Sequence, residues 1–350
     1  MEMIDILKAA VQKGASDLHL VIGQSPMVRI DGELQALKEF PTLSAEESKR
    51  IIFSLLSDFQ RGRFEKDWEL DFSIAVENLS RFRANILMDK KGVEAVLRVI
   101  SSKIPTPEEL QLPQVITDLA DLPRGLVLIT GPTGSGKSTT LACLINLINQ
   151  KRKEHILTVE DPIEFVYENK NCIVRQRELG QQTQSFAAAL KHALRQDPDV
   201  VMIGEMRDLE TIAAALTVAE TGHLVFGTLH TTDAAQTVDR IIDVFPAHQQ
   251  QQVRTQLSTC LKAVIGQTLL PKVGGKGRVA AREIMFVTSA IANLIREGKT
   301  HQIYGAIDTS ARVGMISLDK SLAELARKGL ISTEDALSKA NRPEFLKAGA

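Results

Sequence analysis

The 350-residue chain has three cysteines, and their spacing bears on whether it could carry a zinc site or disulfide bonds. Cys143, Cys172 and Cys260 lie far apart and form no C-x-x-C pair. This excludes a zinc ribbon and gives no support for a disulfide framework. We therefore expect the protein to work in a reducing cytosol.

Aromatic residues and an excess of positive charge are also missing. Aromatics make up 4% of the chain, and the formal net charge is −1. Proteins that bind nucleic acids stack bases on aromatic side chains and follow the backbone with basic surfaces. We therefore expect no nucleic-acid partner, and a nucleic-acid translocase is the less favoured reading.

Long apolar runs are absent as well. No run approaches the roughly 18 residues that span a bilayer. The segment Met1–Asp5 lacks the basic region and apolar core that open a signal peptide. We expect a cytoplasmic protein that associates with a membrane only peripherally.

What the sequence does contain is a glycine-rich segment that fits the phosphate-binding pattern G-x-x-x-x-G-K-[ST]. Its residues are Gly131, Pro132, Thr133, Gly134, Ser135, Gly136, Lys137, Ser138 and Thr139. An apolar run at 126–130 predicts a buried strand before it, and helical spacing at 141–148 predicts a helix after it. Glycines and the helix N-terminus turn backbone N–H groups toward phosphate oxygens. Lys137 can neutralise the β- and γ-phosphates and Ser138 can bind Mg²⁺, so the segment predicts binding of ATP with Mg²⁺.

The residues before this segment predict a separate α/β domain, residues 1–100. Strand patterns occur at 18–22, 27–30, 81–88 and 93–100, and a capping box opens a helix at Ser44–Glu47. Three prolines within residues 101–113 then indicate an interdomain linker, because proline removes backbone donors and stiffens the chain.

Residues 114–350 alternate short apolar strands with helices. Strands are predicted at 126–130, 155–159, 171–175, 200–204 and 224–229, and helices at 136–150, 185–196 and 208–220. This alternation predicts a largely parallel sheet with its ligand at the carboxyl ends of the strands. From about residue 247 the chain is predicted to become mainly helical.

Acidic residues follow two of these strands. Glu160 and Glu164 come after the second strand, and Glu205 follows the strand at 200–204. Many P-loop ATPases have a metal-holding aspartate where this chain has Gly204. We therefore expect Mg²⁺ on Ser138, Glu160 and Glu164, with Glu205 free to orient or deprotonate water. Solvated acidic loops are the alternative.

Two further groups are candidates for phosphate contacts. His230 ends an apolar strand beside the predicted phosphate site, which favours a phosphate-sensing hydrogen bond, whereas the role of His223 stays open. Arg81, Arg83 and Arg98 lie on the amino-terminal hairpin, where composition alone favours a solvated basic face.

Together these motifs resemble the secretion ATPases that drive type IV pili and type II secretion, in particular the retraction ATPases of twitching motility. Four segments carry the resemblance, which covers nearly the whole chain: Ala15–Leu20, Glu160–Glu164, Gly204–Asp208 and Gly222–Thr231. It implies an amino-terminal PAS-like α/β domain followed by a RecA-like P-loop ATPase domain with a helical carboxyl-terminal part.

The resemblance also implies roles for individual residues. Glu205 would be the catalytic carboxylate and His230 the γ-phosphate sensor. Arg83 and Arg98 would reach the nucleotide, while Glu160 and Glu164 would serve Mg²⁺. The implied assembly is a homo-hexameric ring that moves by rotation of its domains. The implied partners are an inner-membrane pilus platform protein and a paralogous retraction ATPase.

The carboxyl-terminal region bears on the direction of such a motor. Residues 290–299 look like the retraction-specific segment of the family, but Ala292 and Thr268 stand where the family commonly has arginine. Two alternatives stay open: an accessory or extension-type ATPase of pili or type II secretion, and a nucleotide-gated assembly factor with slow turnover.

Overall fold

The computed structural model describes residues 1–30, 32–77, 79–100, 103–275 and 277–343, so Ser101 and Ser102 of the predicted linker lie outside the described residues. The chain forms two compact units. The first comprises Met1–Lys103 and Pro162–Val166, and the second comprises Ile104–Asp161 and the chain from Tyr167 onward. Within the described ranges, no helix is both long and apolar enough to cross a membrane.

The first unit is an antiparallel sheet with three helices. The helices are α1 (Met3–Gln12), α2 (Ala45–Phe53) and α3 (Asp58–Asp67), and the strands are β1 (Asp17–Leu20), β2 (Met27–Ile30), β3 (Glu33–Ala36), β4 (Glu69–Val76), β5 (Ser80–Asp89) and β6 (Gly92–Ile100). The strand order is β3-β2-β1-β6-β5-β4, and every neighbouring pair is antiparallel. Its core includes Ile6, Leu18, Phe64, Phe82 and Leu97.

Local chemistry explains the parts of this unit that the sequence predicted. The hairpin of β5 and β6 is present where alternation indicated it. Ser44 caps α2, since its Oγ accepts a hydrogen bond of 3.1 Å from the N–H of Glu47. The sequence reading missed α1, α3, β3 and β4. Every residue of β3 is exposed, so that strand has no apolar pattern to detect.

The second unit contains a seven-stranded sheet. Its strands are β7 (Gly125–Thr130), β8 (His155–Glu160), β9 (Ile173–Glu178), β10 (Val200–Ile203), β11 (Leu224–Leu229), β12 (Leu261–Pro271) and β13 (Arg278–Phe286). Their order is β13-β12-β7-β11-β10-β8-β9. All neighbours are parallel except β12 and β13, which are antiparallel.

Ten α-helices belong to the described part of this unit: α4 (Gln114–Thr117), α5 (Lys137–Lys151), α6 (Phe186–Ala193), α7 (Leu209–Glu220), α8 (Ala234–Asp243), α9 (Ala247–Cys260), α10 (Ser289–Arg296), α11 (Ile303–Thr309), α12 (Leu318–Arg327) and α13 (Thr333–Lys339). Every residue of β7, β10 and β11 is buried, as expected for central parallel strands covered on both faces. The five predicted strands and three predicted helices are therefore confirmed.

One part of the carboxyl-terminal prediction needs correction. The helical part is confirmed at α9 and from Ser289 onward, but residues 261–271 and 278–286 form two strands. The centre of β12, Ala263–Gln267, is buried on both faces. Such a strand shows no apolar–polar alternation and cannot be told from a buried helix by periodicity.

Candidate nucleotide-binding site

The glycine-rich segment forms a loop between β7 and α5. Its glycines Gly131, Gly134 and Gly136 have φ values of 140°, 78° and 86°. Nζ of Lys137 donates to the carbonyl oxygens of Gly131, at 2.7 Å, and Pro132, at 3.0 Å. The ammonium therefore lies against a concave backbone at the N-terminus of α5. This arrangement fits a nucleoside polyphosphate, as the segment Gly131–Thr139 predicted.

Strand β12 supports this loop from behind. A Cβ at Gly131 would lie 2.1 Å from the carbonyl oxygen of Gln267, and one at Gly136 would lie 2.8 Å from Nε2 of Gln267. Nε2 of Gln267 donates to the carbonyl of Ser135 at 2.6 Å, and its Oε1 accepts from Thr140 at 3.0 Å. Sequence reasoning missed this role of Gln267.

The parallel register brings the other candidate residues to the same edge of the sheet. Thr130 pairs with Leu229, Gly227 pairs with Ile203, and Ile203 pairs with Val159. The chain segments that leave these strand ends carry, in order across the sheet, the phosphate loop, His230, Glu205 and Glu160. Ligands bind at this edge of open α/β sheets.

Glu205 and His230 are in direct contact. Oε1 of Glu205 lies 2.8 Å from Nε2 of His230 and 2.5 Å from Nε of Arg207. The next residue, Met206, is buried, and its N–H donates to the carbonyl of Thr228 at 3.0 Å. Burial raises the pKa of Glu205, but the hydrogen bond from Arg207 and the charges of His230 and Arg207 bring this pKa below its ordinary value. The carboxylate is therefore ionised at neutral pH and can accept a proton.

Glu160 lies buried at the end of β8. Its Oε1 accepts hydrogen bonds from Thr158, at 2.6 Å, and Gln176, at 3.1 Å. A Cβ at Gly204 would lie 3.2 Å from Cα of Glu160, which explains why a glycine follows β10. Across the described residues, no cluster of three histidine, cysteine or acidic side chains could hold a metal by itself. The role of Ser138 and Glu160 at Mg²⁺ stays a prediction, with nucleotide phosphates as the further ligands.

The remaining predicted residues belong to the first unit. Arg83 and Arg98 are exposed and directly opposite each other on β5 and β6, and Nε of Arg98 lies 2.9 Å from Oδ1 of Asp17. Like charges in opposite positions destabilise a strand pair, and the carboxylate of Asp17 offsets this repulsion at Arg98. Glu164 is exposed in Pro162–Val166. The approach of these three residues to the nucleotide stays a prediction.

A buried acid that the sequence reading missed lies near the His230 segment. Glu283 on β13 is 1% exposed, and its Oε1 accepts a 2.7 Å hydrogen bond from the N–H of Ala234, the first residue of α8. Burial raises the pKa of Glu283 to about 7, the hydrogen bond from Ala234 opposes this, and the charges of Asp233 and Asp319 add to it.

These features define a class of protein. A phosphate loop after a central parallel strand, with a carboxylate and a histidine at the same sheet edge, is the arrangement of a RecA-like P-loop ATPase. The chain belongs to the Type II/IV secretion system protein family, which it matches over residues 2–337. The prediction of a secretion ATPase with an amino-terminal α/β domain is thus confirmed.

Individual relatives are similar over almost the full length. The chain is 53% identical to the type IV pilus retractation ATPase PilT of Pseudomonas aeruginosa, covering 98% of this chain and 99% of that protein. It is 41% identical to the type IV pilus ATPase PilU of the same organism, covering 99% and 91%. A crystal structure of the pilus retraction motor PilT with bound ADP matches with a TM-score of 0.94 at 47% identity, covering 99% of both chains.

Substitution of the loop glycines tests whether β12 supports the phosphate loop. Gly131→Ala would place a Cβ against the Gln267 carbonyl, whereas Gly134→Ala meets nothing within 4 Å. Both alanines have a positive φ, which costs about 1–2 kcal/mol. We expect Gly134→Ala to lower the free energy of unfolding by about that amount, and Gly131→Ala to lower it further and to weaken nucleotide binding. Urea unfolding and nucleotide titration measure both effects, and equal effects of the two variants would contradict this account.

The raised pKa of Glu283 predicts that the free energy of unfolding depends on pH. Its pKa is about 7 in the folded chain against an ordinary 4.5, so the folded state holds the proton more tightly. Native stability should then fall as pH rises from about 4.5 to 7, by about 3 kcal/mol. Glu283→Gln keeps an acceptor for Ala234 and removes this titration. In denaturant unfolding, the variant should gain stability relative to the native chain between pH 4 and pH 8, and a constant difference would disprove the assignment.

Proposed function

We propose that this chain is an ATPase motor that powers type IV pilus retraction, with Mg²⁺, as a ring of six copies. The observation that best supports this proposal is the contact of Glu205 with His230 at the sheet edge where the phosphate loop begins. The 53% identity to a pilus retractation ATPase supports the biological role. In this proposal the ring works at the cytoplasmic face of the inner membrane, against a pilus platform protein and beside a paralogous retraction ATPase.

The second unit supplies most of the groups for nucleotide chemistry. The loop amides and Lys137 hold the β- and γ-phosphates, and the Ser138 hydroxyl with Glu160 would hold Mg²⁺, joined by Glu164 of the first unit. The metal would neutralise charge on the phosphate oxygens. Glu205 accepts a hydrogen bond from the attacking water and takes its proton. His230 senses the terminal phosphate.

The nucleoside part of ATP has a suitable cavity beside the loop. This cavity has a volume of about 680 Å³ and is lined at one end by Gly136, Thr139 and Thr140. Leu269 and Val279 supply apolar surface at the strand side. Its size is that of sites for small organic ligands, and it lies next to the residues that follow the phosphate loop. We assign it to the base and ribose.

Arg83 and Arg98 complete the proposed site with positive charge from the first unit. Opposite positions on β5 and β6 place the two arginines on the same face of the sheet, where together they would bind phosphate oxygens. Rotation of the first unit would bring them to the nucleotide or withdraw them. Hydrolysis and domain movement are linked in this way.

The catalytic assignment is tested by Glu205→Gln, which removes the base and keeps the shape. Steady-state phosphate release should fall at least about 10²-fold, the contribution of a positioned proton acceptor, while a non-hydrolysable ATP analogue still binds. Glu210→Gln, an exposed acid on α7, is the matched control and should keep normal turnover. Turnover near the native rate in Glu205→Gln would remove Glu205 from its role. Binding without measurable turnover in the native chain would instead favour the nucleotide-gated assembly factor.

The ring is tested by mass and rate together. Light scattering with and without the analogue should give a mass six times that of the 38.4 kDa chain. The ATPase rate per chain should rise with protein concentration as rings form. A monomeric mass with a constant rate per chain would exclude the ring, whereas a different multiple would change its size.

A further inference from the structure

Arg282 on β13 is a buried cation, and the described residues to which its side chain donates hydrogen bonds are neutral at the accepting groups. The residue is 8% exposed. Its Nε donates to Oε1 of Gln267 at 3.3 Å, its Nη2 donates to the carbonyl of Leu110 at 3.0 Å, and its Nη1 donates to the carbonyl of Gln111 at 3.3 Å. The guanidinium fork thus joins β12 to a segment more than 150 residues away in sequence.

No negative charge compensates this cation within the described residues. Burial alone lowers the pKa of Arg282, and no carboxylate offsets it. A buried charge without a counter-ion is costly, and neutral carbonyls compensate it only in part. A contact of this cost contributes little to stability, so its significance lies in the two segments that it connects.

On one side, Arg282 holds a strained turn. Residues Thr106–Leu112 form a single helical turn with reciprocal caps, since Thr106 Oγ1 accepts from the N–H of Glu109 and the Glu109 carboxylate accepts from the N–H of Thr106. The turn ends at Gln111, which has a φ of 49° although it is not glycine. Strained backbone of this kind persists where surrounding contacts hold it. The two carbonyls that Arg282 binds lie at this strained end.

On the other side, Arg282 is linked to the phosphate loop. Oε1 of Gln267 accepts from both Arg282 and Thr140, and Nε2 of Gln267 donates to the carbonyl of Ser135. Gln267 is 4% exposed, and its amide therefore has little room to move independently of these partners. A displacement of the loop at Ser135 or of Thr140 changes the acceptor that Arg282 uses.

We propose that Arg282 transmits the occupancy of the phosphate loop to the Thr106–Leu112 turn, with Gln267 as the intermediate. The inference rests on the proposed binding of a nucleoside polyphosphate. Phosphates bound by the loop fix Ser135 and Thr140, Gln267 then fixes the guanidinium plane, and the fork orders the two carbonyls of the turn. Arg282 is a positioning residue, and by linkage an ordered turn strengthens nucleotide binding by the same factor.

Hydrogen exchange in the full chain tests this coupling. The amides of Leu110, Gln111 and Leu112 should exchange at least about fivefold more slowly with saturating inorganic tripolyphosphate, which has no nucleoside to enter the cavity that the turn lines, than without it. Arg282→Lys keeps the charge but cannot bind three acceptors in the fork geometry. In this variant the difference between the two states should disappear. Arg312→Gln, which changes an exposed arginine outside this cavity, should keep it.

The outcomes separate this inference from the proposed function. Failure of the unaltered chain to bind tripolyphosphate would refute phosphate binding by the loop itself. Binding of tripolyphosphate with unchanged exchange at the turn would refute only the coupling, as would an undiminished difference in Arg282→Lys. A purely structural role of Arg282 would speed exchange equally in both states and leave the difference intact. If Arg282→Lys does not fold, as judged by thermal unfolding, Gln267→Asn provides the same test because its shorter amide cannot reach all three partners.

Discussion

The in-register parallel pairing of β7, β11, β10 and β8 is the constraint on which the site depends. Backbone hydrogen bonds fix Thr130 beside Leu229 and Ile203 beside both Gly227 and Val159. A slip of one residue would turn each side chain to the other face of the sheet. Because the strands are buried on both faces, such a slip would also disrupt side-chain packing on both sides of the sheet. The same burial that holds the fold together therefore aligns the phosphate loop with His230, Glu205 and Glu160.

A second group of residues supports the site although its polar side chains occupy buried positions, where apolar side chains would cost less free energy. Gln267, Arg282 and Glu283 lie buried on the antiparallel pair β12–β13, where hydrophobic side chains would pack at lower cost. Each of them binds a backbone group of a loop: at Ser135, at Leu110 and at Ala234. These three polar residues act as supports for loops that the strands alone would leave unrestrained. The antiparallel pair β12–β13, at one side of the sheet, thus helps to position the groups of the site.

Sequence reasoning was accurate where the structure depends on residues that are close together in the chain. The strands β7, β10 and β11 are continuous apolar runs, and the loop between β7 and α5 follows a fixed pattern, so both were predicted closely. β12 was missed because Lys262, Gln267 and Thr268 interrupt its apolar residues, so the segment is neither a continuous apolar run nor a regular alternation. Gln267 was missed for another reason: its contact with Ser135 joins residues 132 positions apart, and no local pattern records it. The charge state of Glu283 likewise depends on burial by distant segments.

The backbone around Glu205 has a consequence for the kinetics of the site. The N–H of Gly204 donates to Val159, the N–H of Met206 donates to Thr228, and the sulfur of Met206 occupies the space that Gly227 leaves open. With the chain anchored on both sides, the carboxylate leaves Arg207 and His230 by side-chain rotation alone. Such rotations take picoseconds to nanoseconds, whereas movements of whole domains take microseconds to milliseconds. Release of the carboxylate from Arg207 and His230 is therefore a local event, much faster than any movement of a whole domain.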